Sequence, residues 1–284
     1  MDRLVYYRDG TIEARAARVS AALGGLLYGW GVFTVLRVYN GEAFALDHHL
    51  DRLVRHAEKS RIAVSIGPAA LKEALEGLIK ANGVRQGRAR ITLLKGEVGS
   101  WNLGEERESQ LLIFTASDAA RARRDISLTI SPYRLLSTNP LAGIKRTALI
   151  EHFLALDEAR SRGFSDAVLL NERGEIVSTT AANIFWAQGD ELFTPSLGTG
   201  CVAGITRRFV CEIASRWHLH VTEGAFPVQR LLDAREVFLT STTLGIAQVA
   251  SFDPKQYSYK EATIMGLIRR RFEELTRGTG ERQS

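Results

Sequence analysis

The sequence predicts a two-domain α+β protein, and three observations lead there. The chain has 284 residues, 45% of them hydrophobic, which is enough to bury a substantial core in one large or two medium domains. Strand-like and helix-like segments are mixed up to about Thr115, whereas the chain beyond Asp125 carries many short strands and few helices. Ser117 to Asp125 is small, polar and charged, which suits a linker. The expected division is a small N-terminal domain over 1–116, a linker over 117–125 and a larger C-terminal domain over 126–284. There is no internal repeat, heptad run or low-complexity tract, and the second half is unlike a doubly wound dinucleotide fold.

Taken in order, Val32 to Tyr39 is rich in β-branched and aromatic residues, and Asn40-Gly41 is a hairpin turn signal before Ala43 to Leu46. From Asp47 to Ser60, Leu50, Leu53, Val54 and Ala57 recur at helical spacing, and Pro68 to Ala81 reads as a second amphipathic helix. Arg90 to Leu94 and Leu111 to Thr115 read as apolar strands. Beyond the linker come a strand from Ile126 to Ile130, a segment that Lys145 opens toward a helix, and a helix from about Ala148 to Arg162. Ala167 to Leu170 and Glu175 to Val177 flank a turn. Ile184 to Ala187 and Glu191 to Thr194 form a hairpin around Gly189-Asp190.

Composition excludes several classes. No window approaches the roughly 18 to 20 apolar residues of a membrane span. Met1-Asp2-Arg3-Leu4 lacks the pattern of a secretory signal. Cys201 and Cys211 are too few for a disulfide framework and lack the company of a zinc site. His48 and His49 lack the i, i+4 spacing of a helical metal site, so no metal is expected. The expected compartment is the cytoplasm. The net charge is +5, but the cations are scattered rather than striped, so neither nucleic acid nor membrane is an expected partner. An anionic small substrate or cofactor explains the balance equally well.

The candidate chemistry begins at Lys145, which closes the apolar, turn-forming run Asn139 to Ile144. Partial burial would lower the pKa of its amine, and a neutral amine can attack a carbonyl to form a Schiff base. A solvated lysine at a helix start is the commoner arrangement. Ser196 to Arg208 is a glycine-rich loop feeding a helix, and it presents free N–H groups and the positive end of a helix dipole to a phosphate. It is neither a P-loop nor a GxGxxG turn, and an ordinary helix cap reads the same way. Thr206 adds a hydroxyl. Thr240 to Gly245 forms a second hydroxyl cluster, and Arg52 could supply a fixed charge. One amine, a helix N-terminus, hydroxyls and an arginine together suit pyridoxal 5′-phosphate.

Several motifs then fall in one order: Tyr28-Gly29-Trp30-Gly31-Val32-Phe33, His49 to Arg52, Gly143-Ile144-Lys145, Ala181 to Trp186, and Gly204-Ile205-Thr206-Arg207. Over about Tyr28 to Ala250 the chain resembles the class IV aminotransferases, the fold type IV pyridoxal-phosphate enzymes. These include branched-chain and D-amino-acid aminotransferases and 4-amino-4-deoxychorismate lyases. The resemblance implies a small N-terminal α/β domain, a larger strand-rich C-terminal domain carrying the lysine, and a homodimer with the active site between domains. It makes Lys145 the residue of the internal aldimine and the carrier of the α-carbon proton. It gives the phosphate to Arg52, the N–H groups of Ile205 and Thr206, and the hydroxyls of Thr206 and Thr242. Asn183 joins the cofactor-binding set. Ser178 falls at the pyridine nitrogen, where the family has a glutamate.

Asn139 to Lys145 and Ala181 to Trp186 look most like the deoxychorismate lyases, which eliminate pyruvate to give 4-aminobenzoate. Phe33, Ser100 and Asn102 fall where the D-amino-acid enzymes have a tyrosine and a carboxylate-gripping arginine and histidine, which argues against that specificity. A serine at 178 holds a ring proton less well than a glutamate, disfavouring transamination more than elimination. Trp30 and Ala148 depart from the family pattern as well. The expected function is a deoxychorismate-type lyase acting on a small amino substrate. The alternatives are an aminotransferase using a 2-oxo acid and a member with reduced or lost catalysis.

Overall fold

The computed structural model describes residues 2–98, 108–118, 125–259 and 263–277. Its contacts divide the chain into two units. One is Met1–Ala120 with Ile144–Ala148 and Thr276–Ser284, and the other is Arg121–Gly143 with Leu149–Leu275.

Elements of the first unit are β1 (Leu4–Tyr7), β2 (Gly10–Glu13), α1 (Gly24–Leu27), β3 (Gly31–Tyr39), β4 (Glu42–Ala43), α2 (Leu46–Lys59), α3 (Pro68–Ala81), β5 (Gln86–Leu94) and β6 (Gln110–Ser117). The strands form an antiparallel sheet in the order β2-β1-β6-β5-β3-β4. Alternation along β3 sends Val32, Leu36 and Val38 into the core with Leu50, Leu53 and Ala57 of α2 and Leu71, Leu75 and Leu78 of α3. Thr34 shares that face, and Phe33 points to the other. Asn40 and Gly41 take the positive φ angles, 53° and 88°, that a two-residue hairpin turn requires.

The segment around Lys145 is not the start of a helix. It is extended and adds to the free edge of β3: Val32 and Arg146 form an antiparallel bridge, Phe33 N–H donates to the Lys145 carbonyl at 3.0 Å, and Thr147 N–H donates to the Gly31 carbonyl at 2.8 Å. Backbone pairing therefore draws Lys145 into the first unit, whereas the expected division put it in the C-terminal domain. Ile144 is buried in the first unit's core.

The second unit runs β7 (Ile126–Leu135), α4 (Ile150–Ser161), β8 (Asp166–Asn171), β9 (Ile176–Thr179), β10 (Asn183–Gln188), β11 (Glu191–Pro195), α5 (Ile205–Arg216), β12 (Val221–Gly224), α6 (Gln229–Leu232), β13 (Glu236–Ser241), β14 (Gly245–Phe252), β15 (Lys255–Gln256) and α7 (Ile264–Arg277). Its mixed sheet has the order β12-β11-β10-β13-β14-β7-β8-β9, with β15 on β14. β7 and β8 are parallel, with α4 as the crossover, and β11 and β12 are parallel, with α5 between them in sequence. The central strand β10 is apolar on both faces, and Ile184, Phe185, Trp186 and Ala187 are all fully buried. The hydroxyl cluster after β13 lies in the turn to β14, not at a helix cap. Among the described residues no helix is long and apolar enough to cross a membrane, and no cluster of His, Cys, Asp and Glu could hold a metal ion.

Candidate active site

In the first unit Lys145 sits among cations and an aromatic ring. Its Nζ lies 4.6 Å from the centroid of the Phe33 ring, and the Arg90 guanidinium stacks on the same ring at 3.7 Å. Arg90 Nε donates to Thr92 Oγ1 at 3.2 Å, which holds the guanidinium over the ring. Burial first, then the Arg52 and Arg90 charges, pull the Lys145 amine down from 10.5 to about 8. A useful fraction is therefore unprotonated near neutral pH.

Arg52 on α2 is itself buried, 4% exposed, and its Nη2 donates to Thr34 Oγ1 at 3.0 Å. Thr34 Oγ1 in turn lies 2.7 Å from His49 Nδ1. The threonine oxygen accepts from the arginine and shares its second hydrogen bond with the imidazole, the tautomer of His49 setting which of the two donates. Burial and the neighbouring Arg52 hold His49 down at about 3, so it stays neutral and adds no charge beside Lys145. This chain of two hydrogen bonds fixes the guanidinium.

In the second unit the start of α5 presents backbone N–H groups. α5 opens on Gly204, with no side-chain cap and no acidic residue in its first turn, so its first N–H groups have no acceptor within the helix. Thr206 is buried in that turn. The next residue, Arg207, bonds the Pro195 carbonyl at 2.9 Å and pairs with Glu223, pinning the helix start to β11 and β12. Asn183 Nδ2 donates to the Val202 carbonyl at 2.9 Å. A Cβ on Gly204 would lie 2.1 Å from Asn183 Oδ1, so only glycine fits. Asn183 thus shapes the loop before the helix. Gly143 has φ +73°, and a side chain there would press on the Cys201 carbonyl at 3.0 Å.

Thr242 is partly buried in the turn between β13 and β14, where Ser241 caps Leu244 N–H at 3.1 Å. Thr240 Oγ1 is buried with no hydrogen-bond partner among the described residues. Ser178, on β9, donates its hydroxyl proton to the Thr179 carbonyl at 2.8 Å. Its oxygen is left as an acceptor. Phe33 belongs to the Lys145 cluster, whereas Ser100 and Asn102 lie outside the described residues.

The structure thus gathers Lys145, Arg52 and Phe33 in the first unit, and Asn183, Ile205 and Thr206 around the start of α5 in the second. Sequence reading missed Thr34, His49, His56 and Arg90. The available signal was His49, Arg52 and His56 at i, i+3 and i+7 on one helix, three polar residues on the stripe facing the sheet.

An amine below its ordinary value, an uncapped helix start and buried hydroxyls fit a phosphorylated aldehyde, the chemistry of a pyridoxal-phosphate enzyme. A sequence profile of the family described as amino-transferase class IV matches residues 31–252, and the chain belongs to that family. Its members are pyridoxal-phosphate-dependent transaminases or lyases. The chain is 26% identical to an aminodeoxychorismate lyase of Bacillus subtilis over 89% of this chain and 88% of that one. It is 28% identical to a D-alanine aminotransferase of Listeria monocytogenes over 98% of both. In structure it matches the branched-chain amino acid aminotransferase of Escherichia coli with a TM-score of 0.92 at 24% identity, covering 100% of this chain and 97% of that one. A 4-amino-4-deoxychorismate lyase structure, described as putative, from Legionella pneumophila matches with a TM-score of 0.86 at 24% identity, covering 92% and 97%. These structures define the fold type IV architecture.

Proposed function

We propose that this chain is a pyridoxal-phosphate lyase of the deoxychorismate type, removing pyruvate from 4-amino-4-deoxychorismate to leave 4-aminobenzoate. Lys145 would hold the cofactor's aldehyde carbon. Arg52, the N–H groups of Ile205 and Thr206, and the hydroxyls of Thr206 and Thr242 would hold its phosphate. Ser178 would face the ring nitrogen, with Asn183 keeping the loop before α5 in shape. When bound, the cofactor supplies an electron sink for charge developing at the carbon that bears the substrate's amino group.

Lys145 takes the proton from that carbon, and an amine near 8 suits the task at neutral pH. The electron pair left behind forms a ring double bond as the C–O bond to the enolpyruvyl group breaks with its electrons going to oxygen, and the departing enolate takes a proton on carbon to become pyruvate. Arg52 and Arg90 resist a positive charge on Lys145, which returns the proton readily.

Ser178 carries the choice of reaction. Its proton is committed to the Thr179 carbonyl, so it offers the ring nitrogen a neutral acceptor where the family has a carboxylate. Losing one charge-assisted hydrogen bond costs about 1.5–3 kcal/mol, roughly one to two decades in rate. Elimination tolerates that loss because the leaving group drains the charge. The competing reading is an aminotransferase, favoured by relatives such as the Listeria protein. Turnover of 4-amino-4-deoxychorismate with no 2-oxo acid present separates the two. A strict requirement for an acceptor would select the aminotransferase, and no turnover in either assay would leave a protein that keeps the fold with reduced catalysis. The working assembly in this reading is a cytoplasmic homodimer.

A further inference from the structure

The polar stripe of α2 ends on His56, and this residue meets the backbone of the lysine itself. Lys145 N–H donates to His56 Nδ1 at 3.0 Å. Elsewhere the segment is held by strand pairing: the Lys145 carbonyl accepts from Phe33, and Thr147 N–H donates to Gly31. Within it, Arg146 N–H reaches back to the Ile144 carbonyl at 3.0 Å, a three-residue turn centred on Lys145. That turn leaves the Lys145 N–H outside the ladder, and the imidazole receives it.

We propose that His56 is a positioning residue for Lys145, fixing the turn from which the lysine side chain leaves the sheet edge by accepting its backbone N–H. The acceptor nitrogen must be unprotonated, so the ring proton sits on Nε2. Burial first, then Arg52, Arg55, Lys59 and Lys145, holds His56 down at about 4, and the acceptor persists at neutral pH. Two of these cations, Arg52 and Lys145, also act on His49, so one set of charges keeps both imidazoles of the stripe neutral.

The position of the amine matters because its low pKa depends first on burial and only then on Arg52 and Arg90. A segment free to swing would carry the amine toward water and return it toward its ordinary value. His56 therefore acts on the chemistry through Lys145, without touching the reacting atoms.

The test uses three substitutions in the full chain. His56→Asn keeps an acceptor where Nδ1 was, His56→Gln moves it outward, and His56→Leu removes it. Two quantities are read: the pH midpoint for labelling of Lys145 by an acid anhydride in cofactor-free protein, and the dissociation constant for pyridoxal phosphate. In His56→Gln and His56→Leu the midpoint is expected to rise by about one pH unit and binding to weaken about tenfold. His56→Asn should stay within about threefold of the parent. If His56→Leu fails to fold, the Asn and Gln pair still decides, and equal midpoints and equal binding in that pair overturn the proposal. The binding arm rests on the cofactor reading above. A parent protein that takes up no pyridoxal phosphate refutes that reading, while the labelling arm, which needs no cofactor, still judges His56.

Discussion

The first unit surrounds an amine with side chains, and the second presents backbone N–H groups at a helix start, the cradle of the proposed reading. Around Lys145, burial first and then the Arg52 and Arg90 guanidiniums set the charge state of one nitrogen, beside the Phe33 ring. At the start of α5 the first N–H groups have no acceptor within the helix, as at any helix start, and Gly204 precedes them without a side-chain cap. The difference shows in what each can lose. A side-chain environment is tuned and can be detuned by one substitution, whereas a backbone cradle is lost only when the chain path changes.

Removing the amine is the most severe way to separate the two. Lys145→Ala should reduce turnover by on the order of 10²–10⁴-fold while leaving pyridoxal phosphate measurably bound through the remaining phosphate donors of the proposed set. Absorbance of the loaded protein before and after borohydride, together with a binding titration, checks both halves. Complete loss of binding would show that the cradle does not stand alone.

Ser178→Glu asks whether the second unit also sets the reaction. A carboxylate would hold a proton on the ring nitrogen, and the half-reaction with an amino acid should accelerate by about 10- to 100-fold. Single-turnover absorbance changes measure this directly. An unchanged rate would remove Ser178 from the argument for elimination.

The buried His49 gives the first unit a pH signature that begins near pH 6.5, above the carboxylate range in which the lowered Glu172 of the second unit acts. The folded protein holds His49 at about 3, while the unfolded chain has the ordinary value of 6.5. Between these values the unfolded state binds a proton that the folded state does not, so stability is full above about pH 6.5 and falls as the pH drops toward 3. At pH 5 the loss from His49 alone is about 2 kcal/mol, some 30-fold in the folding equilibrium. Urea unfolding at pH 7 and pH 5 measures it. His49→Asn, which keeps an acceptor for Thr34 without a titrating ring, should flatten this slope, and an equally steep slope would place the titration elsewhere.

How much of this the sequence revealed follows the same contrast. Helical spacing located α2 and α3, because each buries a regular face; β-branched and aromatic content located β3, turn signals β10, and the Gly204 to Arg207 run marked the start of α5. The short strands β1, β2, β12 and β15 lack such a pattern. The placement of Lys145 was not legible: it depends on a 114-residue separation between Val32 and Arg146, paired only because the end of β3 is open. His56 was hidden for the same reason, since its partner lies 89 positions away. Local rules singled out Lys145 and the start of α5, and only tertiary contacts disclosed the neighbours, Arg90, His49 and His56, around the amine.

The cradle can be perturbed through one methyl group. In Gly204→Ala the new Cβ would fall 2.1 Å from Asn183 Oδ1, far inside contact distance, so Asn183 must leave the Val202 carbonyl or the start of α5 must move. Either change misaligns the N–H groups of Ile205 and Thr206 while leaving the Lys145 cluster without a substituted residue. Pyridoxal phosphate should bind about tenfold more weakly, a cost near 1.4 kcal/mol, while the pH midpoint for labelling Lys145 in the cofactor-free protein stays at the parent value. Replacing Asn183 by alanine in the same chain removes the clashing oxygen, so the double substitution should recover part of the binding lost. If the double variant binds no better than Gly204→Ala alone, the collision with Asn183 is not what closes the cradle, and the helix start itself has moved.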